Sequence, residues 1–233
     1  YESVTGLKLD STHLLLSGDQ NDFRVAEVDG SGVGSWSAAQ TTLTGGTDSH
    51  NGVKMYIAGE DASYWYVIVN RRYSGTSTCA SVVSVDKATY AVAQVGTDVA
   101  GMGDSLSGYD MTPIEGYTDK WVCIYTDTNL KAIVVGVNGS FEPLIEGAEL
   151  DLGFVGENPN IQSVDATHFI ITYSDTNDDG WAETLAVNVG TWALSVASAA
   201  AYEFETSFLA TRKSRLVKVD SEHVALIWGD SSS

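Results

Sequence analysis

Five unequal copies of one four-strand pattern, spaced about fifty residues apart, predict an all-β chain, a β-propeller of four-stranded antiparallel blades with the last blade incomplete. Three observations carry the prediction. A short acidic turn recurs at near-regular intervals. An apolar strand follows each copy of it, with turn residues marking the next hairpin. Finally, no stretch sustains the i, i+3, i+4, i+7 apolar spacing of a helix. The nearest approach, residues 197–208, has alanines but no cap or clean stripe and reads as strand end and loop.

The turn is Asp10-Ser11-Thr12-His13, then Asp61-Ala62-Ser63-Tyr64, Asp165-Ala166-Thr167-His168 and Asp220-Ser221-Glu222-His223. A weaker copy runs from Gly116 to Lys120. The closing positions 13, 64, 120, 168 and 223 lie 51, 56, 48 and 55 residues apart. A first strand precedes each turn, as in residues 6–9, 53–58 and 215–219. The second strand follows it, at 14–18, 65–70, 121–126, 169–174 and 224–229. Third and fourth strands are expected at 23–28 and 35–41, 79–85 and 89–95, 132–137 and 141–145, and 181–187 and 191–196. Asp29-Gly30, Asp86-Lys87, Asn138-Gly139 and Asn188-Val189-Gly190 stand at the joints, where hairpins want turn formers. The blades are therefore predicted over residues 1–42, 53–95, 109–147, 161–198 and 214–233, all in one domain. The fifth has only two strands, and an open strand edge invites pairing. A continued or neighbouring chain is expected to cover it.

The charge balance excludes one class of partner. Thirty-one acidic against 12 basic residues give a net charge of −19, which argues against a nucleic-acid backbone. No run of 18 apolar residues is present, so no membrane insertion is expected. Cys79 and Cys123 lie in strand-like runs without metal-ligand spacing and read as buried thiols, with a disulfide left open.

The Asp-x-Thr-His turns, the strand endings Tyr125-Thr126-Asp127 and Tyr173-Ser174-Asp175, and the hairpins at 28–30 and 137–139 resemble the propeller repeats of bacterial and phage surface proteins. That resemblance implies an extracellular, virion or cell-surface setting. It leads to the expectation of a non-catalytic binding, adhesion or assembly module whose partner is a protein or glycan receptor. The alternative is a carbohydrate-active propeller, lectin or glycoside hydrolase, working at a central mouth.

The sharpest chemical motif is Asp175-Thr176-Asn177-Asp178-Asp179-Gly180-Trp181-Ala182-Glu183. Oxygens alternating along a tight loop suit Ca²⁺, which takes six to eight of them. Asp175, Asn177, Asp179, the Trp181 carbonyl and Glu183 are the candidate ligands, and the run is similar to the calcium loops of integrin-type propellers. A solvated acidic hairpin is the alternative reading, because Asn, Asp and Gly all favour turns.

The other candidates have weaker signals. His13, His168 and His223 share one repeat position, so a turn role outweighs a catalytic one. Tyr125, Tyr173 and Trp228 share another, which points to packing between blades. Trp36, Tyr64, Trp65, Tyr73, Trp181 and Trp192 fall near turns or strand starts, and exposed ones among them would suit carbohydrate. His50 stands apart in a loop. The long connections 43–52, 96–108, 146–160 and 203–214 are where binding residues are expected. They share a face with the second-to-third strand loops. Arg71-Arg72 and residues 211–215 are the basic clusters. For glycoside hydrolysis Asp104, Asp110, Glu157 and Glu205 are available, yet nothing marks out a pair. No nucleophile elbow, zinc helix, phosphate loop or dinucleotide fingerprint is present, so no catalytic residue is assigned.

Overall fold

The computed structural model describes residues 5–17, 22–38, 40–41, 43, 54–72, 77–104, 108–206 and 214–228. Every regular element among them is a β-strand. The first sheet orders β1 (Thr5–Lys8), β2 (His13–Ser17), β3 (Asp22–Asp29) and β4 (Gly32–Trp36), with β5 (Gln40–Thr41) also on β3. The second orders β6 (Lys54–Glu60), β7 (Tyr64–Arg72), β8 (Ser77–Asp86) and β9 (Val92–Asp104). The third holds β10 (Tyr109–Pro113), β11 (Lys120–Thr126), β12 (Leu130–Val137) and β13 (Pro143–Ile145), with β14 (Leu150–Asp151) on β12. In the fourth, β15 (Glu157–Ser163), β16 (His168–Ser174), β17 (Gly180–Asn188) and β18 (Ala193–Val196) are joined by β19 (Tyr202–Glu205) on β17. The fifth comprises β20 (Arg215–Lys218) and β21 (Val224–Ile227). These are the antiparallel meanders of a β-propeller, one blade per repeat.

Two compact units are distinguished, residues 1–101 with 137–144, and residues 102–136 with 145–233. Each has its core between the faces of successive sheets. In the first unit Leu15, Phe23 and Val25 pack against Val67, Val69, Val83 and Val85. In the second, Val122, Ile124 and Val134 meet Phe169, Ile171, Leu185 and Leu194. Residues two apart on a strand share a face, so Val122 and Ile124 enter this core. Trp121, Cys123 and Tyr125 point the other way. They too are fully or almost fully buried, so β11 is covered on both faces.

The recurring turns are built alike. Oδ1 of Asp10 accepts the N–H groups of Thr12 and His13, each at 2.8 Å. Asp165 and Asp220 do the same for residues 167 and 168, and 222 and 223. The imidazole Nδ1 of each histidine returns to the same carboxylate at 2.8–3.1 Å. A backbone bond closes each corner, from Leu9, Val164 and Val219 to the histidine carbonyl. Where Tyr64 replaces histidine, the Tyr66 hydroxyl reaches Asp61 Oδ2 instead, at 2.8 Å. In the third sheet Ile114 N–H bonds the Lys120 carbonyl around a corner two residues longer. Asp10, Asp165 and Asp220 are thus Asx-type corner braces, as their spacing implied.

A second regularity was legible in its turn formers but not in the aromatic residues that follow them. Asp29, Asp86, Asn138 and Asn188 each cap the hairpin between third and fourth strands with a side-chain oxygen. After three of them an aromatic residue takes a left-handed backbone: Tyr90 at φ 57°, Phe141 at φ 60° and Trp192 at φ 56°. Bulky residues avoid this region, which costs roughly 1–2 kcal/mol. Each ring is seated on the corner region of the preceding sheet. Tyr90 stacks on His13 at 4.6 Å, Phe141 on Tyr66 at 3.9 Å, and Trp192 meets Tyr117 edge-on at 5.0 Å. In the hairpin of the first sheet Gly32 takes φ 120° instead. Gly59 leaves the space for Phe141, because a Cβ there would lie 2.4 Å from its ring.

Two expectations are corrected. Residues 96–108 were expected to be a loop, but β9 runs through to Asp104 with Gly96 at φ 66°. The fourth strand, expected to be single, is broken in three of the sheets, and β5, β14 and β19 are its displaced second halves. A serine fills the break in two of them. Ser37 Oγ accepts Val25 N–H at 2.8 Å, and Ser198 Oγ accepts Thr184 N–H at 3.4 Å. β19 therefore lies within the stretch 197–208 that reads as strand end and loop.

Candidate functional site

The acidic loop 175–183 folds as a capped turn. Asp175 Oδ1 accepts N–H bonds from Asn177 at 2.8 Å and Asp179 at 3.0 Å, and Oδ2 accepts the Trp181 indole N–H at 3.2 Å. Asp178 takes the left-handed position, at φ 63°. Burial raises the Asp175 pKa, but these donors outweigh it and hold the carboxyl below its usual range. Glu183 lies on β17 opposite Ile171. Its Oε2 is buried with no hydrogen-bond partner among the described residues, and burial pushes its pKa up against a Ser198 hydrogen bond. Among the described residues no three His, Cys, Asp or Glu side chains are grouped to hold a metal ion. Asp175 therefore caps its own loop with both carboxylate oxygens.

Among the described residues the glycosidase candidates Asp110, Glu157 and Glu205 lie on three different strands, β10, β15 and β19. Asp110 is buried, and its carboxylate accepts the N–H groups of Met111 at 2.9 Å and Ile161 at 3.1 Å, tying β10 to β15. Glu205 accepts Thr206 N–H and the Trp228 indole N–H. Glu157 opens β15 opposite Ser174. The side chain of Asp104, and all of His50, Tyr73, 211–213 and 230–233, lie outside the described residues. Of the basic pair, Arg71 is 1% exposed, bonding Asp98 at 2.8 Å and Ser81 at 3.0 Å. It is a buried strut.

The aromatics divide by location. Tyr173 stacks on Phe154 at 4.7 Å and Trp228 packs on Phe204 at 5.4 Å, as shared repeat positions implied. Trp65 is buried with Lys87 over its ring, whereas Trp36 and Tyr64 are exposed. Cys79 and Cys123 are buried thiols, not joined in a disulfide.

One polar cluster in the second unit combines acid, base and hydroxyl groups. Lys131 Nζ bridges Asp127 Oδ2 at 3.1 Å and Glu149 Oε1 at 3.0 Å. The Tyr125 hydroxyl donates to the other oxygen of Glu149. Beside them Asn129 Nδ2 bonds Asp151 at 3.0 and 3.2 Å, and Gly153 N–H caps Asp151. The hydrogen bond to Glu149, then that to Asp127, raise the Lys131 pKa. Burial, then the bond to Glu149, push that of Tyr125 up well beyond the usual phenol range. Lys131 is thus a fixed ammonium and Tyr125 a fixed donor. Tyr125 comes from β11 and Lys131 from β12, whereas Asp127, Asn129, Glu149 and Asp151 come from the 127–129 turn and the long 146–160 connection. Lys131 itself escaped notice because a single lysine in a strand has no local signature.

No family model matches the sequence, and no curated protein matches it. Solved structures do. One from Bacteroides fragilis, assigned as a 6-phosphogluconolactonase, is 10% identical over 86% of this chain and 70% of its own, at a TM-score of 0.43. Another so assigned, from Bacteroides uniformis, is 10% identical over 94% and 72%, also at 0.43. These structures carry the name of an enzyme, against the expectation of a non-catalytic adhesion or assembly module. Neither is named as a bacterial or phage surface protein. At this distance the likeness transfers no residue and no reaction to the chain.

Proposed function

We propose that the chain hydrolyses a small cyclic ester of the sugar-lactone class at the Tyr125–Asp127–Lys131–Glu149 cluster. One observation carries the reading: a single ammonium held between two partly exposed carboxylates, one of them oriented by a phenol. It rests on this cluster and not on the remote likeness to solved structures. Because Lys131 stays charged, it serves as the electrophile for the developing oxyanion. Because Tyr125 keeps its proton, it only orients Glu149. The base is then Glu149, which takes a proton from water as that water adds to the acyl carbon. The ring C–O bond breaks, its oxygen takes up the proton, and a hydroxy acid leaves. Asn129 and Asp151 offer hydrogen bonds to sugar hydroxyls nearby.

Hydrolysis of a panel of five- and six-membered sugar lactones, followed by acid release over the spontaneous rate, tests this reading. Glu149→Gln is expected to lower the rate by about 10²-fold or more, the usual loss of a general base, with circular dichroism unchanged. No acceleration by the native protein on any of the panel, or full activity in Glu149→Gln, ends the reading.

A further inference from the structure

We infer that the Lys131 cluster takes an uncharged, polyhydroxyl lactone and turns a phosphorylated one away, with Asp151 setting the preference. The inference rests on the hydrolytic reading of this cluster and adds the charge of the substrate.

Strand register brings the charges together. Lys131 on β12 lies directly opposite Asp151 on β14, so the two side chains share a face of the sheet. Asp127 and Glu149 both bond the Lys131 ammonium. The Gly153 N–H, then the Asn129 amide, lower the Asp151 pKa; Lys131 adds to the fall and Asp127 opposes it. Asp151 therefore stands ionised within reach of both charges. Three carboxylates, Asp127, Glu149 and Asp151, against one ammonium leave a net charge of −2 at neutral pH.

The hydrogen-bond inventory agrees with the charge. An ammonium has three N–H groups. Asp127 and Glu149 take two of them, and the developing oxyanion takes the third. The Asn129 amide and the Gly153 N–H face Asp151, and the Tyr125 hydroxyl faces Glu149. What the cluster offers a substrate is mainly carboxylate oxygen, which only accepts. Sugar hydroxyls donate and so fit it. A phosphate group brings three further acceptors and nearly two negative charges. The fourth sheet has the same arrangement without a cation. Trp181 stands opposite Tyr173 as Lys131 stands opposite Tyr125, and its indole N–H meets Asp175 at 3.2 Å. In both sheets the donor at this position holds the blade's own carboxylate, two residues past the tyrosine. It is not spare for an incoming anion.

The test compares kcat/KM, over the spontaneous rate, for a six-membered sugar lactone and for the same lactone phosphorylated on its exocyclic hydroxyl. It uses the whole protein at about 20 mM and about 500 mM salt. Two net charges facing a phosphate at about 8 Å predict a preference for the neutral lactone of about tenfold at low salt, shrinking to about twofold at high salt. Asp151→Lys, with circular dichroism unchanged, is expected to bring the low-salt preference to about parity. Turnover of the phosphorylated lactone equal to or above that of the neutral one at low salt overturns the inference and leaves the hydrolytic reading in place. So does a preference that salt does not reduce, or one that a folded Asp151→Lys protein retains in full. No turnover of either lactone removes the hydrolytic reading and this inference together.

Discussion

Replacing Trp192 separates the strain of its backbone from the contact of its ring. The indole is partly buried against the core of the second unit, edge-on to Tyr117, with the Lys120 ammonium over its face. Removing it to alanine exposes roughly 100 Å² of apolar surface, about 2.5 kcal/mol at about 25 cal/mol per Å². The aromatic pair adds about 1 kcal/mol, and the partly shielded cation about 0.5 kcal/mol. Trp192→Ala should therefore cost about 4 kcal/mol. Trp192→Gly loses the same contacts but relieves a φ of 56°, which alanine tolerates poorly and glycine freely. That returns about 1–2 kcal/mol, less up to about 1 kcal/mol for the looser unfolded chain. Glycine should thus be less destabilising than alanine by about 0.5–1 kcal/mol, reversing the order found within strands. Urea unfolding followed by circular dichroism, with slopes compared so that only midpoints differ, measures this directly. A glycine variant less stable than the alanine variant would refute the claim that the left-handed turn stores strain repaid by the ring.

Four further outcomes follow from the same geometry. The Asp165 carboxyl is raised by burial but lowered more by the N–H of Thr167 and by His168, ending at about 2 against an ordinary 3.8. Its contribution is therefore present above pH about 4 and lost as the pH falls toward 2, so Asp165→Asn should flatten the stability slope in that window, read by urea midpoints at stepped pH. Asp98→Leu leaves the guanidinium of Arg71 buried opposite an apolar side chain and should cost about 3–5 kcal/mol, whereas Arg71→Met with Asp98→Leu should recover most of it. The Cys79 thiol, pushed up to about 11 by burial, and the buried Cys123 should both resist a disulfide reagent until the chain is unfolded in urea. Millimolar Ca²⁺ should leave the melting temperature unchanged if the Asp175 oxygens serve only their N–H donors; a clear rise would assign the 175–183 loop as a metal site.

The candidate hydrolytic cluster was only half legible in the sequence. Tyr125 and Asp127 stood out as a strand ending shared between repeats, and 146–160 as a long connection. That Glu149 would meet Lys131 and Tyr125 depends on how that connection folds back over β12, where Leu150 and Asp151 pair with Ala132 and Lys131.

Short-range chemistry is what the sequence by itself determined. The all-β class, the meander repeat and the Asp-to-His corners were readable because each acts within about five residues, and alternation and hairpin formers are local signals. Only the tertiary structure decided which ring sits on which corner, that Arg71 finds Asp98, and that the fourth strands break and resume. The ring placements hang on left-handed turns at Tyr90, Phe141 and Trp192, a conformation that aromatic residues do not prefer by themselves. Contact with the neighbouring sheet supplies the free energy that holds them there.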